Sequence, residues 1–525
     1  MPCIEKYRKE RLIVRERPDV DAKHLVPLDR AHILRRFVLH HADKRIRLDK
    51  TPSDPVVAHR RHQCHVLVGA DRRAGLRPVV EELATVRGLE FRRRRAAEER
   101  DEPHILMPAS SHVELSPYEK LQAMTNNQDV EAFKFVDGLR GIAALQVVVL
   151  HYCAAFLPVF ARAGLPLHFA WEYGASFSPL FLIAQGYVAV YIFFVMSGFV
   201  LAGSFIRSEA SLRAQAMKRS LRLYPPVVAS LLFSAMLMVL FPTSRQQAVH
   251  LSMSTWLEHQ WGHHVTALSF AKEVIINSML VGYGSSSIFS AVGGITDSSL
   301  FTPLVPTTNA PLWTLHLEFW GSLALLAMTG LRRMMSKKLF VCSLVVAAFF
   351  AGTSFLSLFV AGFALYLARH AILASNERIW SVLGAILICG GLFIAFAPVL
   401  GSMDQLHGMV LHLPLMHAID PFQLQCEVSA IAIFAGVLLS PMARRILSKS
   451  FLLRLGKISF SLYLTHFAIL LTLGCAVFQL LESAGYLVSF FASLAIGMVT
   501  SLLVAIVFER VVDRPAVRAS RRLPS

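Results

Sequence analysis

The chain has 525 residues, of which 54% are hydrophobic and only 17% are charged. An ordinary soluble domain carries about 25% charged residues, so this composition excludes one large soluble core and favours membrane-spanning helices. The net charge of +17 does not indicate nucleic-acid binding, because the basic residues lie in an N-terminal tail and in short loops between apolar runs, where membrane orientation explains them.

The N-terminal region differs from the rest of the chain. Residues 1–100 contain 25 Lys or Arg and 15 Asp or Glu, without lasting apolar periodicity, and residues 1–50 lack the apolar core of a signal peptide. One interpretation makes residues 1–130 a basic, disordered cytoplasmic tail. The other is a start codon assigned too far upstream, with the true start near Met107 or Met124. In both interpretations the membrane domain occupies residues 131–520.

The sequence predicts neither a disulfide framework nor a metal site. The seven cysteines form no CxxC pair and mostly lie in apolar runs, where cysteine behaves as a small hydrophobe. The outer-loop histidines His259, His263 and His264 have no fourth ligand at a defined spacing.

From residue 141 onward the chain consists of apolar runs of membrane length. Only structures with closed hydrogen-bond patterns are stable in lipid, so these runs predict an all-α, polytopic bundle of about ten transmembrane helices. Two of the runs are short, and their merger is an alternative. The runs are 141–161, 185–206, 224–242, 312–331, 338–353, 355–370, 380–398, 427–443, 460–481 and 486–508.

The charges of the loops predict the orientation. With the N-terminus in the cytoplasm, the cytoplasmic ends and loops carry 21 Lys or Arg residues and the outer loops carry three, Arg162, Arg245 and Lys272. This asymmetry follows the positive-inside rule and predicts that both ends of the domain are cytoplasmic. We expect Pro515 to end the last helix at that face. The long outer segment 243–311 contains an apolar stretch, 268–283, which we expect to be interfacial or re-entrant.

The first predicted helix carries two ionisable residues on one face. His151 follows Arg140 by eleven residues, a spacing that returns within about 20° of the start and covers about 16 Å of helix axis. In the functional interpretation His151 is a general base and Arg140 holds an anionic donor that enters from the cytoplasm. In the alternative, Arg140 is an interfacial anchor and His151 a hydrogen-bond partner between helices.

Three further segments carry polar residues near or within the membrane. Arg219 and Arg222 would be neighbours in a helix and suit phosphate groups, although the positive-inside rule alone explains them. Glu318 would orient a histidine or hold an acceptor hydroxyl, or else reach water at the outer edge. A third segment carries Ser459, Tyr463 and His466 at helical spacing. This spacing indicates either that one face of the helix lines a cavity or that it makes polar contacts with a neighbouring helix.

Six motifs, taken in order, resemble those of acyltransferase family three, the membrane proteins that include O-antigen acetylases and nodulation-factor acyl transferases. Each motif is weak alone, but their order over about 133–518 is specific. The motifs are Phe135-Val-Asp137-Gly-Leu-Arg140 through His151, Phe193-Phe194-Val-Met-Ser197-Gly198-Phe199, Arg219-x-x-Arg222-Leu-Tyr-Pro225, Leu312-Trp313-Thr314-Leu-x-x-Glu318, Ser459-Phe-Ser461-Leu-Tyr463-Leu-x-His466 and Asp513-Arg-Pro515. The chain departs from the family at Asp513, where Glu is usual, and at Ser322, Leu323 and Ala324, where a Tyr is often found.

The resemblance implies transfer of an acyl group, which we expect to be acetyl, from acyl-CoA to a hydroxyl of a glycan or lipid-linked saccharide. Acetyl-CoA is then a co-substrate, no cofactor is bound permanently, and the location is the bacterial inner (plasma) membrane. The implied catalytic residues are His151, Arg140, Glu318, Tyr463 and His466, and the implied CoA-binding residues are Arg140, Arg219 and Arg222. In this mechanism Glu318 or Tyr463 orients His151 or stabilises developing charge. An acyl-enzyme on a histidine or on Ser459 or Ser461 stays open.

The alternative function is a transporter or flippase for glycans or lipids. Ten helices with polar residues at depth would serve it equally well. The absence of a detectable internal repeat with matching broken helices argues against this alternative.

Overall fold

The protein is described here by a computed structural model, which defines residues 133–261, 265–283, 307–351, 355–374, 377–398 and 421–523. The tail predicted over residues 1–130, and with it the alternative starts at Met107 and Met124, lies outside the described residues. His263, His264 and the centre of the long outer segment, 284–306, also lie outside them.

Within the described residues the fold is all-helical, and ten helices have 15 residues or more. Each overlaps one of the ten predicted runs, so the all-α prediction is confirmed. The helices are α1 Phe135–Phe156, α2 Gly186–Arg207, α3 Leu212–Leu240, α4 Trp313–Met334, α5 Lys337–Ala351, α6 Leu356–Ala374, α7 Glu377–Phe396, α8 Pro421–Leu439, α9 Ser450–Ile469 and α10 Tyr486–Phe508.

Seven of the described helices are long and apolar enough to cross a membrane, namely α1, α2, α3, α7, α8, α9 and α10. This supports an integral membrane protein with several spans. Helix α4 carries Glu318, Arg332 and Arg333, and α6 is apolar over a shorter stretch, Leu356–Arg369. That α4, α5 and α6 also cross, and that both ends face the cytoplasm, remain predictions.

Helix α3 begins twelve residues before the predicted run 224–242. The Ser211 hydroxyl caps its first turn by accepting a hydrogen bond from the Ala214 backbone N–H at 3.2 Å, and the helix continues through Pro225 and Pro226. The prediction was wrong because it assigned the basic residues before Tyr224 to a loop. As a result, Arg219 and Arg222 are both helical and stand three residues apart on one face.

Helix α1 begins and ends earlier than predicted. It starts at Phe135 rather than at residue 141, so that Asp137 and Arg140 belong to its first two turns. It ends at Phe156 rather than at residue 161. Leu157 precedes Pro158, and a proline ring disfavours the helical conformation in the residue before it.

Glycines allow two pairs of helices to approach closely. A Cβ on Gly141 of α1 would lie 2.8 Å from the backbone nitrogen of Gly456 in α9, and a Cβ on Gly198 of α2 would lie 2.9 Å from the backbone carbonyl carbon of Phe359 in α6 and closer still to its oxygen. Real Cβ atoms do not come this close to backbone, so neither position accepts a side chain without movement of the helices. The first contact fixes α1, which carries Arg140 and His151, against the polar face of α9.

Helices α9 and α10 each continue through a π-helical turn, Leu470–Gly474 and Glu509–Asp513 respectively. Beyond the second turn lies the C-terminal helix, Arg514–Arg522, which packs against α3. The prediction that Pro515 ends the helical segment is therefore wrong. Pro515 occupies the first turn of a new helix, where its missing N–H is not needed.

The outer segment is partly helical. Its stretch 268–283 forms the helix Ala267–Lys272 followed by the π-helical turn Glu273–Val281, and the latter packs against α3 and α4. The π-helical turn buries Glu273, Asn277 and Met279 but exposes Ile275 and Leu280. That this stretch is interfacial or re-entrant remains a prediction.

Candidate active site

A cavity of about 560 Å³ lies among α1, α2, α3, α4, α9 and the C-terminal helix. This volume is within the range of about 300–1,000 Å³ that is usual for small-molecule sites. Its apolar wall comes mainly from α2 and includes Val190, Phe193, Phe194 and Leu201. The cavity therefore offers a long organic ligand an apolar wall and, at its other side, polar groups.

The polar lining of the cavity is strongly basic. It contains five cationic side chains and one carboxylate, that of Glu318. Guanidinium and ammonium groups concentrated in this way are suited to bind phosphate oxygens. The cations are Arg140, Lys218, Arg219, Arg222 and Arg521.

The carboxylate of Glu318 is held by two partners inside the cavity. Arg219 donates a hydrogen bond and forms an ion pair to its Oε1, and the Ser197 hydroxyl donates to the same oxygen at 2.9 Å. The side chains of Arg219 and Glu318 are only 12% and 17% exposed. Glu318 thus holds Arg219 toward the cavity. In the structure neither Glu318 nor Tyr463 hydrogen-bonds to His151, whose hydrogen-bond partner is His466; that either residue stabilises developing charge stays a prediction.

Tyr463 stands where the cavity meets the interior of the bundle. Its hydroxyl lies 2.8 Å from Thr314 Oγ1 and donates to the Pro311 carbonyl at 2.9 Å. The centroid of its ring is 6.1 Å from that of Phe193 and also 6.1 Å from that of His466. Tyr463 therefore lies at the boundary between the basic cavity and the histidine pair.

The two candidate catalytic histidines form a hydrogen-bonded pair. Nδ1 of His466 lies 2.9 Å from the Leu462 carbonyl, which can only accept, so in the neutral ring this nitrogen carries the proton. Nε2 of His466 is then an acceptor, and His151 Nδ1 donates to it at 2.9 Å. The remaining nitrogen of His151, Nε2, keeps its lone pair. These hydrogen bonds assign His151 the tautomer of a general base.

Aromatic rings hold His151 in place. The indole of Trp256, from the outer segment, stacks on the imidazole with a centroid distance of 5.7 Å, and Phe467 meets it edge-on at 5.4 Å. His466 is fully buried while His151 is half-buried. The pair is thus oriented by the Leu462 carbonyl of α9 and flanked by the ring of Trp256.

The predicted residues fall into two groups. Arg140, Arg219, Arg222, Glu318, Ser459 and Tyr463 all line the cavity. His151 and His466 do not line it, although Arg140 and His151 belong to the same helix. Sequence reasoning missed the contributions of Gln215 and Arg521 to the cavity, because Arg521 stood among several arginines at the end of the chain and Gln215 in an assumed loop.

Two buried carboxylates on the outer side have structural partners. Glu172 accepts hydrogen bonds from the backbone N–H groups of His168 and Phe169, both at 2.9 Å. Glu273 accepts from Thr307, Thr308 and Tyr283. Burial raises the pKa of Glu273, and these hydrogen bonds oppose the rise. Glu172 thus holds the connection between α1 and α2, and Glu273 holds the outer segment.

In the described part of the chain no cluster of three metal-ligating side chains is present. The described cysteines, Cys153, Cys342, Cys389, Cys426 and Cys475, are free thiols.

Comparisons with known proteins agree with the motifs. A family model described as an acyltransferase domain matches residues 133–510. Acyltransferase R4 of a Phoma species is 26% identical over 245 residues, which cover 42% of this chain and 52% of that protein. The match thus spans about half the length of this relative. The O-acetyltransferase PaAT-1 of Phomopsis amygdali is 26% identical over 385 residues, 65% of this chain and 73% of that protein. No solved structure matches the chain significantly.

Proposed function

The chain belongs to the acyltransferase family whose domain model spans residues 133–510, and from this premise we propose that it is a membrane O-acyltransferase that moves an acetyl group from acetyl-CoA to a hydroxyl. The observation that carries the proposal is the pairing of a basic cavity with a histidine whose Nε2 is left as an acceptor. The printed name of the Phomopsis relative, an O-acetyltransferase, supports acetyl as the group.

The donor occupies the cavity. Coenzyme A carries a diphosphate and a 3′-phosphate, and a lining with five cations and one carboxylate compensates these charges. The pantetheine arm runs along the apolar wall of α2, and the thioester lies beside Tyr463. Glu318 acts here by positioning Arg219 for the diphosphate rather than by contacting the reacting atoms.

The histidine pair performs the proton transfer. Nε2 of His151 accepts the proton of the acceptor hydroxyl while the hydroxyl oxygen bonds to the acyl carbon. The bond between the acyl carbon and sulfur breaks, and the proton on His151 passes to the sulfur of CoA. His466 keeps Nε2 of His151 unprotonated between turnovers and accepts a hydrogen bond from the imidazolium that forms during the reaction. This direct transfer needs no acyl-enzyme.

The acceptor approaches from the side of Trp256. An indole ring beside the base suits an acceptor with an apolar sugar face, and we propose a hydroxyl of a saccharide, free or lipid-linked, as the substrate class. The described spans support location in a membrane. The relatives reported above are fungal, so we extend the proposal to an integral membrane location and not to the bacterial inner membrane.

The test uses the full chain in membranes of a host that lacks it. Membranes are incubated with isotopically labelled acetyl-CoA and their native glycans and lipids, and products are separated and weighed by mass spectrometry. We expect molecules that carry one added acetyl group and the label, and their loss in His151→Ala. The matched control is His250→Ala, which removes an exposed histidine outside the site.

Two results would overturn the proposal. Labelled product formed equally by the wild type and His151→Ala would remove His151 from the chemistry. A glycan or lipid whose location changes across the membrane without any change in mass would identify a flippase instead.

A further inference from the structure

The mouth of the cavity has features that the transfer reaction does not use. We define the mouth as the lining residues Gln215 and Lys218, from the first turns of α3, and Ser520 and Arg521, from the last turn of the C-terminal helix. Arg521 is exposed and Lys218 is half-buried. A ligand in the cavity would therefore keep one end at this surface.

The cations of the mouth lack the carboxylate partners that Arg140 and Arg219 have. Arg140 lies 3.6 Å from the carboxylate of Asp137, and Arg219 pairs with Glu318. Lys218 and Arg521 form neither an ion pair nor a hydrogen bond with any residue that the structure describes. Two cations left uncompensated on two different helices can converge on one anionic group.

Gln215 provides a second, independent indication of a ligand. Its side chain is 95% buried, since its relative exposure is 5%, and its Nε2 donates to the Ala210 carbonyl at 2.7 Å. Because a carbonyl can only accept, this bond assigns the nitrogen and leaves Oε1 as the other atom. Oε1 is buried and has no hydrogen-bond partner. A buried acceptor without a donor costs free energy, which a ligand N–H or O–H would recover.

The mouth and the deeper cations are separated along α3. Arg222 follows Lys218 by four residues, which places it about 6 Å further along the helix axis. Coenzyme A likewise carries two separate anionic groups, because its 3′-phosphate and its diphosphate are attached at different carbons of one ribose. Its adenine adds an exocyclic amine that can donate to an amide oxygen.

We infer that the mouth is the binding site for the adenosine 3′-phosphate of the donor. Lys218 and Arg521 hold the 3′-phosphate, Gln215 Oε1 accepts from the adenine amine, and Arg219 and Arg222 hold the diphosphate. The inference rests on the proposed donor and makes the C-terminal helix part of the substrate site. It predicts selection of coenzyme A over carriers that lack the nucleotide 3′-phosphate.

The test measures binding to the purified full chain in lipid nanodiscs, with coenzyme A and 3′-dephospho-coenzyme A as probes, and needs no acceptor. We expect wild type to bind coenzyme A about tenfold more tightly, the effect of one or two charge-assisted hydrogen bonds. Lys218→Ala and Arg521→Ala should each weaken binding of coenzyme A several-fold without changing that of the dephospho form, so the two affinities converge. Gln215→Leu should weaken both probes equally.

The matched control is Arg518→Ala, which removes an exposed arginine of the same helix that does not line the cavity. We expect it to leave both affinities unchanged. Equal binding of the two probes by wild type, or discrimination retained in Lys218→Ala and Arg521→Ala, overturns the inference while leaving the proposed donor in place. If neither probe binds wild type, the proposed donor fails as well.

Discussion

The basic cavity and the histidine pair lie close together in the bundle, yet they are built in opposite ways. The cavity has five cations for one carboxylate and is shaped to receive charge from a ligand. The histidine pair has no ion pair within the described residues and is enclosed by the rings of Trp256 and Phe467. In the proposed reaction the first region binds the anionic donor, whereas the second keeps Nε2 of His151 unprotonated.

This difference explains why α1 carries both an arginine and a histidine. Arg140 lines the cavity, and His151, eleven residues further on, lies beside Trp256. One helix, held against α9 at Gly141 and Gly456, thereby fixes the distance between Arg140 in the cavity and His151, the proposed base. Substitutions in the two regions should accordingly separate into effects on chemistry and effects on donor binding.

The largest effect is expected for His151→Ala. Loss of the general base should lower the rate of acetyl transfer on the order of 10²- to 10⁴-fold, while the Kd for coenzyme A stays that of wild type because His151 does not line the cavity. The rate is measured with labelled acetyl-CoA and the Kd by titration. A large loss of coenzyme A binding would show that the two regions are not separate.

His466→Phe should come next, with a loss on the order of 10²-fold in kcat. Phenylalanine fills the volume but cannot accept the hydrogen bond from His151 Nδ1, so the imidazole loses its orientation. His466→Gln keeps an acceptor in the side chain and should recover part of the rate. If Phe and Gln give equal rates, the hydrogen bond at 2.9 Å does not position the base.

Arg219→Ala should act on the other region. Removing a forked cation from a phosphate contact weakens binding by about 10- to 100-fold, so the KM for acetyl-CoA should rise by this factor while kcat at saturating donor is retained. Arg213→Ala, which changes an exposed residue in the first turn of α3, is the matched control. A fall in kcat with unchanged KM would show that Arg219 acts in the chemical step and not in donor binding.

The smallest effect is expected for Glu318→Gln. The amide oxygen can still accept from Arg219 and Ser197, so both hydrogen bonds are kept and only their charge assistance is lost, on the order of 1 kcal/mol. We expect the KM for acetyl-CoA to change less than about fivefold, with kcat unaltered. A loss of kcat comparable to that of His151→Ala would show that Glu318 is a catalytic residue, as the family motif implies.

Much of the fold could be predicted from the sequence because it depends on local patterns. Apolar runs of membrane length located the ten long helices of the described residues, whose helical type was confirmed. The errors lay where charged residues or proline interrupted the pattern: Lys218, Arg219 and Arg222 were assigned to a loop, and Pro515 to a helix end. Inside a bundle, a helix can carry such residues into a polar cavity, which hydropathy along the chain cannot detect.

By itself the sequence determined that this protein is a helical membrane acyltransferase-family chain with Arg140 and His151 on its first helix, since periodicity and motif order are properties of neighbouring residues. Only the tertiary structure decided which residues of other helices these site residues contact. His466 meets His151 across 315 residues of chain, Glu318 meets Arg219 across 99, and the C-terminal helix brings Arg521 to the cavity. Such contacts depend on which helix faces pack together, and that choice is made by the whole bundle rather than by any one segment.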